Sequence, residues 1–335
     1  MNNSFTKLIE NKWTWIWGLL GLISICFFAI PIIITQFSSF IAFDQQSANI
    51  GDSIGGLISP SLGLAGVLLT FAAFYIQYKA NEIQRNNFYI QQFESKFFDL
   101  LKIHRENVSE MELHNKKQRN TFVILRAEFQ DIYKIVKKHT TDLDDQYNKI
   151  RADITYLFLF FGIGVTTSPL VKELMNKYEI GSIITDIDAE LDTVQRSGTL
   201  NTEYLKRYNY GHIDYRPFNG HQIRLAHYFR HLYQTVEFVE SQKSLTDDQK
   251  IFYIKTLRAQ LGTHETALFF YNSISSLGKA WRKPQCLQKE TNDYIDLVTK
   301  YEIIKSLPPK HFTFDLDPKY FYPSINFEWD EIVRE

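Results

Sequence analysis

The sequence predicts an all-α protein. An N-terminal transmembrane hairpin of two helices (residues 1–78) leads into a long stalk helix (79–111) and a cytosolic helical domain (112–307), and an aromatic-rich tail (308–335) packs on that domain. Three observations support this reading. Residues 1–78 hold five charged side chains, Lys7, Glu10, Lys12, Asp44 and Asp52, where the chain average of 22% would place about 17. No glycine or proline occurs between Tyr78 and Gly162. Apolar residues then recur every three to four positions through most of the remainder, with little of the alternation that marks strands.

The first predicted span, residues 13–35, is WTWIWGLLGLISICFFAIPIIIT, which as a helix rises about 34 Å. Trp13, Trp15 and Trp17 follow Lys12 as an interfacial belt. The run exceeds a signal-peptide core and lacks a small-residue cleavage site after Thr35, so an uncleaved anchor is expected. The second predicted span, residues 57–78, is equally free of charge. Gly55, Ser59 and Gly63 form a small-residue stripe for transmembrane packing, against the first span or a second copy. The intervening segment has Asp44 and Asp52 but no cation, whereas Lys7, Lys12, Lys79 and Arg85 flank the spans. The positive-inside rule then implies a multi-pass protein of the bacterial inner membrane with both termini cytoplasmic.

Beyond Tyr78, Ile90, Phe93, Phe97, Leu100 and His104 make a seam with 3,4 spacing. Such a seam suits either the protein's own body or a second copy. Further helices are expected near 119–138, 142–161, 168–178, 181–196, 218–240, 247–276 and 286–306, with a capping box at Thr246 and Gln249. Residues 114–120 and 208–220 read as loops. From Pro308 the prolines exclude a helix, and the aromatics call for packing against the body.

The chain has 37 basic and 38 acidic residues; two and three of these lie in residues 1–78, leaving 35 of each in the body. That balance argues against bulk binding of nucleic acid. Cys26 and Cys286 have no partners at metal-ligand spacing. Phosphate-cradling loops and nucleophile elbows are also missing from the sequence, so no cofactor and no metal are expected.

The candidate functional or structural polar cluster is His227, Arg230, His231, Arg258, Gln260, Glu265 and Asn272. On a helix through 222–239, Leu225, Phe229, Leu232, Val236 and Val239 form a core stripe, and Arg224, His227 and His231 gather on roughly the opposite, polar side. In the next helix Arg258 falls within the apolar stripe of Ile251, Ile254 and Leu261. If that helix continues past Gly262, Arg258, Glu265 and Asn272 form a ladder at seven-residue spacing, either structural or ligand-binding. His264 does not open a zinc-protease HExxH, because residue 268 is Leu.

Two pairs, Arg224 with His231 and Arg258 with His264, are separated by six and five residues. This spacing resembles that of HEPN ribonucleases, where an arginine and a histidine converge on the scissile phosphate. HYFRHLYQTVEFV from His227 and YIKTLRAQLGTHETALFFYNSIS from Tyr253 resemble the phage abortive infection family, AbiC-like, as do the segments 51–66 and 93–108. The family pattern falls on Tyr228, Phe229, Arg230, Leu232, Tyr233, Arg258, Ala259, Gln260, Leu261, Glu265, Phe270, Tyr271 and Asn272. Gly262 stands where the pattern has Ser, and His264 lies outside it.

The resemblance implies an antiphage protein that senses infection and triggers growth arrest, through membrane disruption in one reading. The alternatives are a non-enzymatic scaffold for a defence partner and a HEPN-like ribonuclease. The expected partners are the lipid bilayer, a second copy of the chain, and a phage-derived or defence-system trigger.

Overall fold

The computed structural model describes residues 45–113, 116–141, 147–165, 167–178, 180–197, 217–284 and 294–333. The chain divides into two compact units, Met1–Arg85 and Asn86–Glu335. Helix α1 (Gln45–Glu110) belongs to both. Its exposed apolar side chains include Leu62, Leu64, Leu69, Phe71, Phe74 and Ile76, which lie at widely different angles around the helix. By length and composition, α1 is apolar enough to cross a membrane.

The expected multi-pass topology with both termini cytoplasmic requires correction. Among the described residues one helix alone meets the length and hydropathy of a membrane span, and no two-helix hairpin is seen. The predicted first span, 13–35, lies outside the described residues. Residues 45–56, predicted to belong to a connection between spans, are helical, because α1 begins at Gln45 and runs through Gly51, Gly55 and Gly56. Each glycine costs a helix about 1 kcal/mol, which is too little to stop one that continues for many turns. Pro60 also lies inside α1. Nothing approaches within 4 Å of the positions a Cβ would take at Gly55 or Gly63.

The second unit is helical, with two very short hairpins. After α1 come β1 (Glu112–Leu113), β2 (Lys116–Lys117), α2 (Arg119–His139), α3 (Asn148–Phe161), α4 (Thr167–Met175) and α5 (Gly181–Ser197). Then follow α6 (Gln222–Glu240), α7 (Asp247–Arg258), α8 (Thr263–Ile274), β3 (Arg282–Pro284), β4 (Tyr294–Asp296), α9 (Leu297–Lys300), α10 (Pro318–Phe321) and α11 (Glu328–Val333). Each hairpin is an antiparallel pair, β1 with β2 and β3 with β4.

Helices α2, α3 and α8 pack on one another and carry the core. Residues 151–160 of α3 and 265–274 of α8 are all buried. Helices α4 and α5 pack together beside them. The seam of α1 is closed by the body rather than left for a second copy. Phe93 stacks on Phe238 of α6 and meets Tyr253 of α7 edge-on, with ring centroids 5.2 and 4.8 Å apart.

Two backbone crossings fix where α6 starts. Gly162 ends α3 at φ 79° and Gly220 precedes α6 at φ 80°, and a Cβ on either would lie 2.5 Å from backbone atoms of the other segment. Glu128 of α2, fully buried, anchors the same segment. Its Oε1 accepts from the Phe218 N–H at 2.9 Å, and its Oε2 lies 3.0 Å from His221 Nε2.

The predicted helix over 247–276 is two helices. Residues 259–262 break it, and Gly262 has extended dihedrals (φ −75°, ψ 162°) as the residue before α8. Thr246 and Gln249 do form the capping box of α7. In place of the predicted helix over 286–306, the described part, 294–306, is a strand, one short helix and turns. Asp296 caps α9, and Glu302 at φ 47° turns the chain soon after it. The tail packs its aromatics: Arg126 of α2 lies under the Phe312 ring, 3.6 Å from its centroid, and Tyr322 donates to Ser273 Oγ at 2.8 Å.

Candidate functional site

Helix α6 buries its predicted stripe of Leu225, Phe229, Leu232, Val236 and Val239. Its polar side is covered only in part, by the end of α1 and by β1, and His227 stays exposed. Arg224 Nε donates to the Glu112 carbonyl at 2.8 Å, and His227 Nε2 lies 3.2 Å from Asn107 Oδ1. His231 is buried, with its ring 6.2 Å from that of His104. The seam that buries Phe93 and Phe97 brings His104 to this place. One residue in the apolar register of α1 is therefore an imidazole.

A group of polar side chains without hydrogen-bond partners results. His104 is 1% exposed, and neither of its ring nitrogens is bonded. The same holds for both ring nitrogens of His231, the Tyr228 hydroxyl and Glu265 Oε1. Tyr228 packs on His104 at 5.3 Å and on Phe122 at 5.0 Å. Leaving such groups unsatisfied costs roughly 1–3 kcal/mol each, so clustering four of them is a poor way to build a core.

Burial governs their ionisation. It pushes the His104 imidazole down to about 4, helped by His231 and Arg119, and lowers His231 through burial and the nearby His227. Tyr228 is raised well above its ordinary value by burial and by the charge of Glu265. Glu265 is raised by burial, against the opposing effects of the Gly262 N–H and Arg119. The imidazoles are thus neutral near pH 7, each with one N–H donor and one acceptor nitrogen.

One member of the group, His104, also lines a cavity of about 230 Å³, together with Arg105, Ser109, Gln118, Arg119 and Gln260 among others. Arg119 forms one wall. Its Nη2 donates to the Gln260 carbonyl at 2.8 Å, and its Nε lies 3.8 Å from Glu265 Oε1. Glu265 Oε2 accepts from Gly262 N–H at 2.5 Å, which holds the α7–α8 break in place.

Of the seven candidate residues, His231 and Glu265 belong to this buried group and Gln260 lines its cavity. His227 lies beside it, in a separate depression with Asn107 and Arg224. Arg230 and Asn272 border a different, apolar groove of about 260 Å³ with Phe229, Tyr233 and Trp281. Within it, the Asn272 amide donates to the Tyr156 hydroxyl at 3.0 Å. Arg258 turns away and donates to the Glu302 carbonyl at 2.9 Å. The ladder of Arg258, Glu265 and Asn272 is not formed, because Gly262 changes the helix direction between its first two members. Arg258 and His264 do not face a common opening either, since His264 packs on Phe312 at 5.5 Å.

Sequence reasoning missed His104, Arg105 and Arg119 as site residues. The available signal was a histidine at an apolar seam position. Among the described residues no group of three or more His, Cys, Asp or Glu side chains could hold a metal ion.

The family model described as "Putative phage abortive infection protein" matches residues 220–312, under a third of the chain. The match takes in α6, α7 and α8 and ends at Phe312; the resembling segments 51–66 and 93–108 lie outside it. No curated protein and no solved structure matches this chain.

Proposed function

We propose that this chain is a membrane-associated phage-defence protein whose helical body responds to infection and arrests growth of the infected cell. The observation that carries the reading is the abortive-infection match over 220–312, because it falls on the helices that supply Tyr228, His231 and Glu265 to the buried polar group. The bare apolar length of α1 supports membrane association. Since α1 also contributes His104, one continuous helix carries both the membrane-type segment and part of the polar group. An element shared in this way is suited to report on an event at the body, and damage to the membrane is the response it would produce.

The test is phage plating on bacteria that express the chain, beside growth and a potential-sensitive dye after infection. Fewer plaques with loss of membrane potential are expected. Unchanged plating with uninterrupted growth would reject the reading, whereas arrest with intact potential would reject membrane damage and favour a scaffold that holds a defence partner. The ribonuclease alternative draws less support from the geometry, since Arg224 is engaged with the Glu112 carbonyl and His231 is buried.

A further inference from the structure

We propose that the cavity between the end of α1 and the start of α2 binds the phosphate group of a small ligand. The N-terminus of α2 has neither a side-chain cap from its N-cap residue, Gln118, which sits at φ 59°, nor an acidic residue in its first turn. Helix N-termini favour anions, yet the first residue of α2 is the cation Arg119. Arg105 adds a second guanidinium to the rim. It is exposed and makes no ion pair or hydrogen bond among the described residues. No carboxylate lines the cavity. Glu265 Oε1 lies 3.8 Å from Arg119 Nε, and its other oxygen is taken by the Gly262 N–H.

The second, independent observation is His104. It lines the cavity, is 1% exposed, and neither of its ring nitrogens has a partner. A neutral imidazole offers one N–H, which a phosphate oxygen accepts, while the two guanidiniums bond the remaining oxygens. The cavity, about 230 Å³, is smaller than the roughly 300–1,000 Å³ that enclose a whole drug-sized molecule. It therefore holds a phosphate head and leaves the remainder of the ligand outside, as with a nucleotide or a lipid headgroup.

This gives the proposed sensor a ligand class and rests on that reading only for its biological role, because phosphate can bind whether or not phage plating changes. The full chain, purified in detergent, is titrated with inorganic phosphate, with adenosine monophosphate and with short-chain phosphatidic acid at matched ionic strength, following thermal unfolding and equilibrium binding. Saturable stabilisation is expected. Arg105→Ala should weaken binding at least tenfold, Ser109→Trp should block it by bulk, and the exposed Lys255→Ala of α7 should leave it unchanged. Arg105 and Ser109 are both exposed, so these variants keep the fold. A response to phosphate or the nucleotide identifies a soluble ligand, and a response to phosphatidic acid alone identifies a lipid headgroup; both support the site if Arg105→Ala removes them. No response to any of the three, or an equal response in Arg105→Ala, would overturn it.

Discussion

His104 has an ionisation consequence that can be measured. Its folded-state value is pushed from 6.5 down to about 4, with His231, Arg119, Tyr228 and Glu265 as its polar and charged neighbours. Between those values the unfolded chain takes up a proton that the folded chain refuses, so stability falls as pH drops from about 6.5 to about 4 and is unaffected by this group above 7. At about 1.4 kcal/mol per unit the full effect is about 3.5 kcal/mol. Denaturant unfolding from pH 7 to 5 should show the fall, and His104→Phe should flatten it; an equal slope in the variant would exclude His104 as the cause. Glu128 is a second informative residue, because removing it strands His221 and the Phe218 N–H in the core. Glu128→Ala should cost about 3 kcal/mol in the same assay. Neither role was readable from spacing. Ninety residues separate Glu128 from Phe218, and nothing local to either marks the other.

At the scale of elements, the break between α7 and α8 does not need its glycine, whose dihedrals (φ −75°, ψ 162°) suit any residue. Position 262 is the residue before α8, where the family pattern has Ser, and Glu265 already returns a carboxylate to its N–H. Gly262→Ser supplies the missing half of a capping box and should stabilise by a few tenths of a kcal/mol, seen as a small rise in Tm. Gly220 behaves oppositely. Its φ of 80° and the Phe161 backbone 2.5 Å from a would-be Cβ predict that Gly220→Ala costs about 2 kcal/mol or more, with a clear drop in Tm. The apolar periodicity of α6 was legible because a helix with one buried face repeats regularly. Periodicity set the polar face of α6 apart from the core but not what meets it: His227 stays exposed, whereas His231 is buried against His104 of α1.

For the whole molecule, the α1 segment is the feature most open to test. Placing lysines at Leu68 and Phe71 costs about 2.5–3.5 kcal/mol each at the centre of a span. The Leu68→Lys, Phe71→Lys double variant should move the protein out of the membrane fraction on differential centrifugation, and unchanged sedimentation with the membranes would rule out this segment as the attachment. Composition and periodicity by themselves determined the helical class and the charge-poor N-terminal region, because burial of one helix face imposes a regular, local pattern on the chain and a charge count needs no structure. The motifs from His227 and Tyr253 carried the abortive-infection resemblance, and the family model matches residues 220–312. Tertiary structure alone decided that α1 packs on α6 and α7, that Arg258 serves Glu302 rather than Glu265, and that His104, Tyr228, His231 and Glu265 form one unsatisfied group beside Arg119. Those outcomes depend on long-range crossings, such as Gly162 against Gly220, whose partners lie far apart in sequence and leave no period to read.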